Sequence, residues 1–253
     1  MGTYVVLDKR LSRIVDRDAS DADASDVSQY SEHLNNSQDS TFVITAIMAA
    51  TRHPGRFEID VNGESFASLS LEALERLRLS IGIDISDRVE AVLAEAARLA
   101  VYDRALNLLA FRARSATELS RALVRKGSDP VHVSAAIARL IEQGFLDDAA
   151  FARSFARAKV VGASHSRRRV QQELQRKGVA RDVANQAIGE VFEDEAIDSL
   201  ALIEAAARRK LRTLSSLAPI VRRRRLYGFL ARRGFDADDI RRVMEIVEAD
   251  TAE

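Results

Sequence analysis

The sequence predicts a mainly α-helical protein, an elongated array of three tandem three-helix repeats preceded by a small β-rich module and a disordered acidic N-terminal tail. Three observations predict it. A 23-residue pattern recurs without gaps from Glu118, Arg169 and Arg225. Residues 41–85 carry short alternating β-type runs, and the segment from Asp16 to Ser40 has almost no large apolar side chains.

That segment reads DRDASDADASDVSQYSEHLNNSQDS. It cannot bury enough surface to offset the entropy of ordering, so residues 1–40 are expected to be a disordered acidic tail. Such a tail solubilises the chain or competes with nucleic acid for the basic half. From residue 41 the pattern changes. Phe42-Val43-Ile44-Thr45-Ala46-Ile47 is a β-rich run, Pro54-Gly55 a turn, and Phe57, Ile59 and Val61 alternate before Asn62-Gly63, a strong hairpin signal. Ser65-Phe66-Ala67 forms the return strand, and Ser70 caps a short helix reaching Leu77. Residues 41–85 therefore form a hairpin-plus-helix module, and 86–102 a connecting helix.

The repeats occupy 103–147, 148–194 and 195–250. Each aligned segment opens with an apolar pair at i, i+4, namely Leu119 and Leu123, Val170 and Leu174, Leu226 and Leu230. Two basic residues and a glycine follow: Arg125-Lys126-Gly127, Arg176-Lys177-Gly178 and Arg232-Arg233-Gly234. Basic residues complement the end of a helix dipole, and the glycine accepts the left-handed backbone that terminates it. Asp129-Pro130 then restarts a helix, and Ser115-Ala116-Thr117-Glu118 is a capping box at the start of the first segment. A further helix lies upstream of each segment: Asp103 to Arg112, Asp148 to Val161, and Glu195 to Leu211.

Net charge is zero, but the average conceals an asymmetry. Residues 1–103 hold 10 Lys/Arg against 18 Asp/Glu, whereas residues 104–247 hold 28 against 17. A basic back half suits a polyanionic partner. The candidate contact residues are the steps Arg125, Lys126, Arg176, Lys177, Arg232 and Arg233, with two arginine runs, Arg167-Arg168-Arg169 and Arg222-Arg223-Arg224-Arg225. Consecutive arginines spread around a helix, so they cannot all join the core.

At this point the residues resemble a known family, the RecX regulators of the RecA recombinase, over about residues 100–250. The resemblance rests on ALNLLAFRARS from Ala105 followed by Glu118-Leu119, on GFLDDAAFA from Gly144, and on ELQRKGV from Glu173, in the family's order. It implies a non-enzymatic modulator, most simply an inhibitor, that lies in the groove of the RecA–single-stranded DNA filament and limits its extension, ATP hydrolysis and strand exchange. It further implies a cytoplasmic monomer acting in DNA repair, recombination and the SOS response, with duplex DNA bound weakly and no membrane. This chain departs from the family at Gly162-Ala163-Ser164-His165-Ser166, where a longer turn is expected, and in its third repeat.

The alternative is a helix-turn-helix-like transcription regulator, since helix–glycine–helix units can resemble that motif. An enzyme finds little support. There is no Walker loop and no Gly-x-Ser-x-Gly elbow, and His33, His53, His132 and His165 are dispersed. Asp147-Asp148 between two helices favours N-capping over metal binding. No catalytic residue, metal or cofactor is expected. With no cysteine and no run near the roughly 20 apolar residues of a membrane span, a reducing cytosol is the expected setting.

Overall fold

The computed structural model describes residues 41–51 and 54–249; the expected acidic tail lies outside them. Three antiparallel strands, β1 (Ile44–Ala49), β2 (Arg56–Val61) and β3 (Glu64–Ser70), pair in the order β1-β2-β3. Asn62-Gly63 forms the β2–β3 turn, as the dipeptide predicts. Helix α1 (Leu71–Arg76) follows directly, with Ser70 Oγ accepting from the Ala73 N–H at 3.2 Å. Ile44, Ile59, Val61, Ala67 and Leu69 make one face of the sheet, and Val89, Val92 and Leu99 of the next helix cover it.

That helix, α2 (Val89–Phe111), differs from expectation. The connecting helix and the first helix of the first repeat are one continuous element of 23 residues. Between Val101 and Arg104 no glycine, proline or hydroxyl cap offers the backbone another course. Instead the junction is braced: Asp103 takes the Arg56 guanidinium at 2.6 Å, and the Tyr102 hydroxyl donates to Gln143. One helix thus serves the sheet with its N-terminal half and the repeat with its C-terminal half.

The remaining helices are α3 (Ala116–Arg125), α4 (Pro130–Glu142), α5 (Asp148–Arg157), α6 (Arg167–Arg176), α7 (Arg181–Asp194), α8 (Ser199–Arg212), α9 (Pro219–Arg232) and α10 (Ala237–Ala249). In each repeat the first and third helices pack along one another, α2 with α4, α5 with α7, and α8 with α10. The two apolar residues that open each aligned segment are fully buried in all three copies. Backbone contacts divide the described residues into two compact units, one running to 112 and taking in 119–143, the other made of 113–118 and the residues from 144 onward.

The second unit holds two cores. Ala152, Ala156, Val170, Leu174, Ile188 and Phe192 centre one of them; Ile203, Leu211, Leu226, Leu230, Ile240 and Met244 centre the other. Leu174 has no exposed surface. Its replacement by alanine is expected to cost about 3 kcal/mol, from lost burial plus the cavity left behind. The measurement is a lower urea midpoint with an unchanged slope.

The GASHS stretch departs from regular α-helix, as its sequence suggests. The α5 helix runs into a π-helical turn, Ala158–Gly162, and Ser164 follows with φ +51° while only 2% exposed. The Arg209 guanidinium donates to the Ser164 hydroxyl at 3.0 Å, which satisfies a polar group that burial would otherwise leave costly. Asp147 and Asp148 divide their work. Asp147 caps α5 through the N–H groups of Ala149 and Ala150, at 2.8 and 3.0 Å, whereas Asp148 accepts from the Ala116 N–H at 2.8 Å.

Candidate interface for a polyanionic partner

The basic-glycine steps do more than end helices. In the second repeat the step is seated on the N-terminal turn of α3. Ser115 Oγ donates to the Lys177 carbonyl, Thr117 Oγ1 donates to the Gly178 carbonyl at 3.1 Å, and the Lys177 ammonium meets Glu118 at 3.2 Å. The third repeat is seated on α6 in a related way, with Arg169 in the position of Glu118. Ser166 Oγ donates to the Gly234 carbonyl at 2.7 Å and its N–H to the Arg233 carbonyl at 3.0 Å. Each serine also caps its own helix, accepting from the N–H of Glu118 or Arg169.

Glycine is required at both seats for two reasons. Gly178 and Gly234 have φ of +80° and +85°, and a Cβ would fall 2.3 Å from Thr117 Cβ at the first and 2.6 Å from Ser166 Oγ at the second. C-terminal carbonyls set against an N-terminal turn also align the two helix dipoles favourably.

The thirteen candidate residues therefore divide by surroundings. Lys177 is half-buried between Glu118 and the rings of Phe151 and Phe155. Arg169 is held by Glu173 at 2.8 Å, and Arg233 lies 4.1 Å over the Phe229 ring. Burial, and then the neighbouring Arg209 charge, pull Arg233 below the ordinary arginine value. These three belong to the packing around the seats.

The others face outward to differing degrees. Arg167 is exposed while stacking 3.9 Å from the Phe192 ring, and Arg168 pairs across the seat with Asp236 at 3.4 Å. Arg223 meets Glu248 at 3.2 Å. Arg222 is half-buried, whereas Arg125, Lys126, Arg176, Arg224, Arg225 and Arg232 are exposed. The outward set presents guanidinium groups suited to phosphate or carboxylate oxygens. Among the described residues no cluster of His, Asp or Glu could hold a metal ion, and no helix is long and apolar enough to cross a membrane.

Sequence reasoning missed the partners that sort these arginines, chiefly Ser115, Ser166, Glu118 and Glu173. A signal for the serines was present: both stand three residues before their aligned segments.

His165 sits beside the second seat. Its buried Nδ1 has no hydrogen-bond partner and lies 3.6 Å from Glu173 Oε1. Burial pushes its pKa below the ordinary histidine value, against the opposing pull of Glu173 and with the help of Lys159, Arg233 and Arg169.

Comparison with known proteins places this architecture. Models of the first, second and third RecX three-helix domains match residues 102–140, 147–188 and 197–244. The protein named Regulatory protein RecX from Halorhodospira halophila is 39% identical over 159 residues, which cover 62% of this chain and 94% of that one. The chain belongs to the RecX family. A second RecX, from Chlorobaculum tepidum, is 33% identical over 60% of this chain and 91% of its own length. A crystal structure titled regulatory protein RecX shares the fold with a TM-score of 0.63 at 19% identity, covering 81% of this chain and 99% of that one. That share exceeds what residues 102–244 alone supply, so the fold likeness extends beyond the three RecX repeats.

Proposed function

We propose that this chain is a non-enzymatic regulator of the RecA recombinase. It binds in the groove of the RecA–single-stranded DNA filament as a monomer in the cytoplasm and limits filament extension, ATP hydrolysis and strand exchange, and so acts in DNA repair and recombination. One observation carries the reading: three RecX repeats, spaced through a basic half, leave Arg167, Arg224, Arg225 and Arg232 exposed while the second and third glycine steps are seated on helix starts. The relatives' name, regulatory protein, supports the same direction.

Duplex reading in the manner of a helix-turn-helix regulator fits the charges less well. The helices that follow the glycine steps begin with acids, Asp129 before α4, Asp182 in α7, and Asp238 and Asp239 in α10. Carboxylates at the leading turn oppose a phosphate backbone.

The test is RecA ATPase on single-stranded DNA with the full chain added substoichiometrically. Inhibition is expected; unchanged hydrolysis refutes the reading. Replacing Arg167, Arg224 and Arg225 together with alanine is expected to weaken filament binding with little loss of helicity. If each meets a phosphate, the logarithmic salt slope falls by about 2, at roughly 0.7 per contact on a single strand.

A further inference from the structure

The three basic-glycine steps share one backbone conformation, with Gly127, Gly178 and Gly234 at φ +79°, +80° and +85°. Two are seated on a hydroxyl-capped helix start, and their glycines are half-buried or buried. The first is different: Arg125, Lys126 and Gly127 are all exposed. The residue after the step differs in the same sense. Val179 and Phe235 follow the seated steps, whereas Ser128 follows the first and accepts from Arg104 at 2.7 Å.

We propose that the Arg125-Lys126-Gly127 step is a docking site for the N-terminal turn of a helix in a partner protein, one that carries a Ser or Thr cap and a Glu three residues later. The chain's own seat supplies the chemistry. The cap hydroxyl donates to the Lys126 carbonyl as Ser115 donates to that of Lys177, and a second hydroxyl two residues on donates to the Gly127 carbonyl as Thr117 donates to that of Gly178. The carboxylate pairs with Lys126 as Glu118 pairs with Lys177 at 3.2 Å. Gly127 shares the positive φ of Gly178, the glycine against which Thr117 packs.

Charge selects the class of partner. The carbonyl oxygens at the negative end of α3 accept a hydroxyl and the positive end of a helix, donors that a phosphate group does not offer, while Arg125 and Lys126 suit a carboxylate beside them. A second copy of this chain is a poor occupant. Ser115 and Ser166 are already engaged, and the equivalent position of the third repeat is Arg222, inside α9.

The assay rests on the reading above, in which the partner is the recombinase filament. Affinities of wild type, K126E and G127A are measured for the RecA–single-stranded DNA filament and for naked single-stranded DNA, with helicity checked by circular dichroism. Both variants are expected to lose about tenfold or more on the filament, roughly 1.4 kcal/mol, and to match wild type on naked DNA. Filament binding retained by either variant overturns the proposal, and so does a parallel loss on naked DNA, which marks Lys126 as a phosphate contact. A wild-type chain that binds no filament refutes the functional reading instead. The site is then tested with a stapled peptide of the sequence from Ser115 to Arg125, expected to shift the Lys126 and Gly127 amide resonances. Equal shifts from a peptide lacking the Ser and Glu side chains overturn it.

Discussion

Replacing Gly178 with valine is expected to destabilise the second unit by about 3–5 kcal/mol. Two costs add. A β-branched residue at φ +80° is strained by about 1–3 kcal/mol, and its Cβ would sit 2.3 Å from Thr117 Cβ, so the α3 turn must shift or the seat must open. Opening loses the Ser115 and Thr117 hydrogen bonds and leaves Lys177 and Glu118 partly desolvated without each other. A control separates the two costs. Gly144 has φ +73° with nothing within 4 Å of its absent Cβ, so Gly144→Ala carries only the backbone strain, about 1 kcal/mol. Urea denaturation of Gly178→Ala and Gly144→Ala should differ by more than 1 kcal/mol, about the net worth of one hydrogen bond. Equal losses would mean that the seat contributes nothing.

Much of this fold was legible in the sequence because it rests on local chemistry. The i, i+4 pairs such as Val170 and Leu174 bury fully since a helix places them on one face whatever surrounds it. Caps at Ser70, Asp129 and Asp147 act within three residues, and each accepts a backbone N–H in the first turn of its helix. What escaped was long-range. Ser115 and Lys177 are 62 residues apart, and Ser166 and Gly234 are 68 apart. A C-cap glycine looks the same in sequence whether its carbonyl meets water or a serine in the neighbouring repeat. The arginine runs were ambiguous for the same reason. Arg167-Arg168-Arg169 reads as three equivalent charges, yet the fold gives them an aromatic ring, an exposed aspartate and a mostly buried glutamate in turn. Continuity of α2 escaped because the alignment of repeats suggested a boundary at Asp103 where the backbone has no reason to break.

Acid is expected to destabilise the second unit in two stages, and the sign follows from where each proton goes. Glu173 lies mostly buried among Arg169 at 2.8 Å, Lys159 at 3.3 Å and His165 at 3.6 Å. Burial raises its pKa, but the Arg169 hydrogen bond and the Lys159 charge outweigh that and hold it below the ordinary value of 4.5. The folded state therefore binds that proton less readily than the unfolded chain, and the stability Glu173 contributes is present above about 4.5 and lost as pH falls through its lowered folded value. His165 behaves in the same sense at higher pH. Its folded pKa is depressed from 6.5, so folding favours the neutral ring, and the contribution present above 6.5 declines as the unfolded chain takes up a proton that the folded site resists. Thermal midpoints should thus fall first between pH 7 and the depressed histidine value, then again below 4.5. His165→Gln should flatten the first decline and leave the second. Glu173→Gln removes the carboxylate that Lys159, Arg169 and His165 face, and is expected to cost about 2 kcal/mol at pH 7 after allowance for partial exposure. It should also abolish the second decline. A Glu173→Gln chain whose midpoint still drops below pH 4.5 as steeply as wild type would assign the acid limb to other carboxylates.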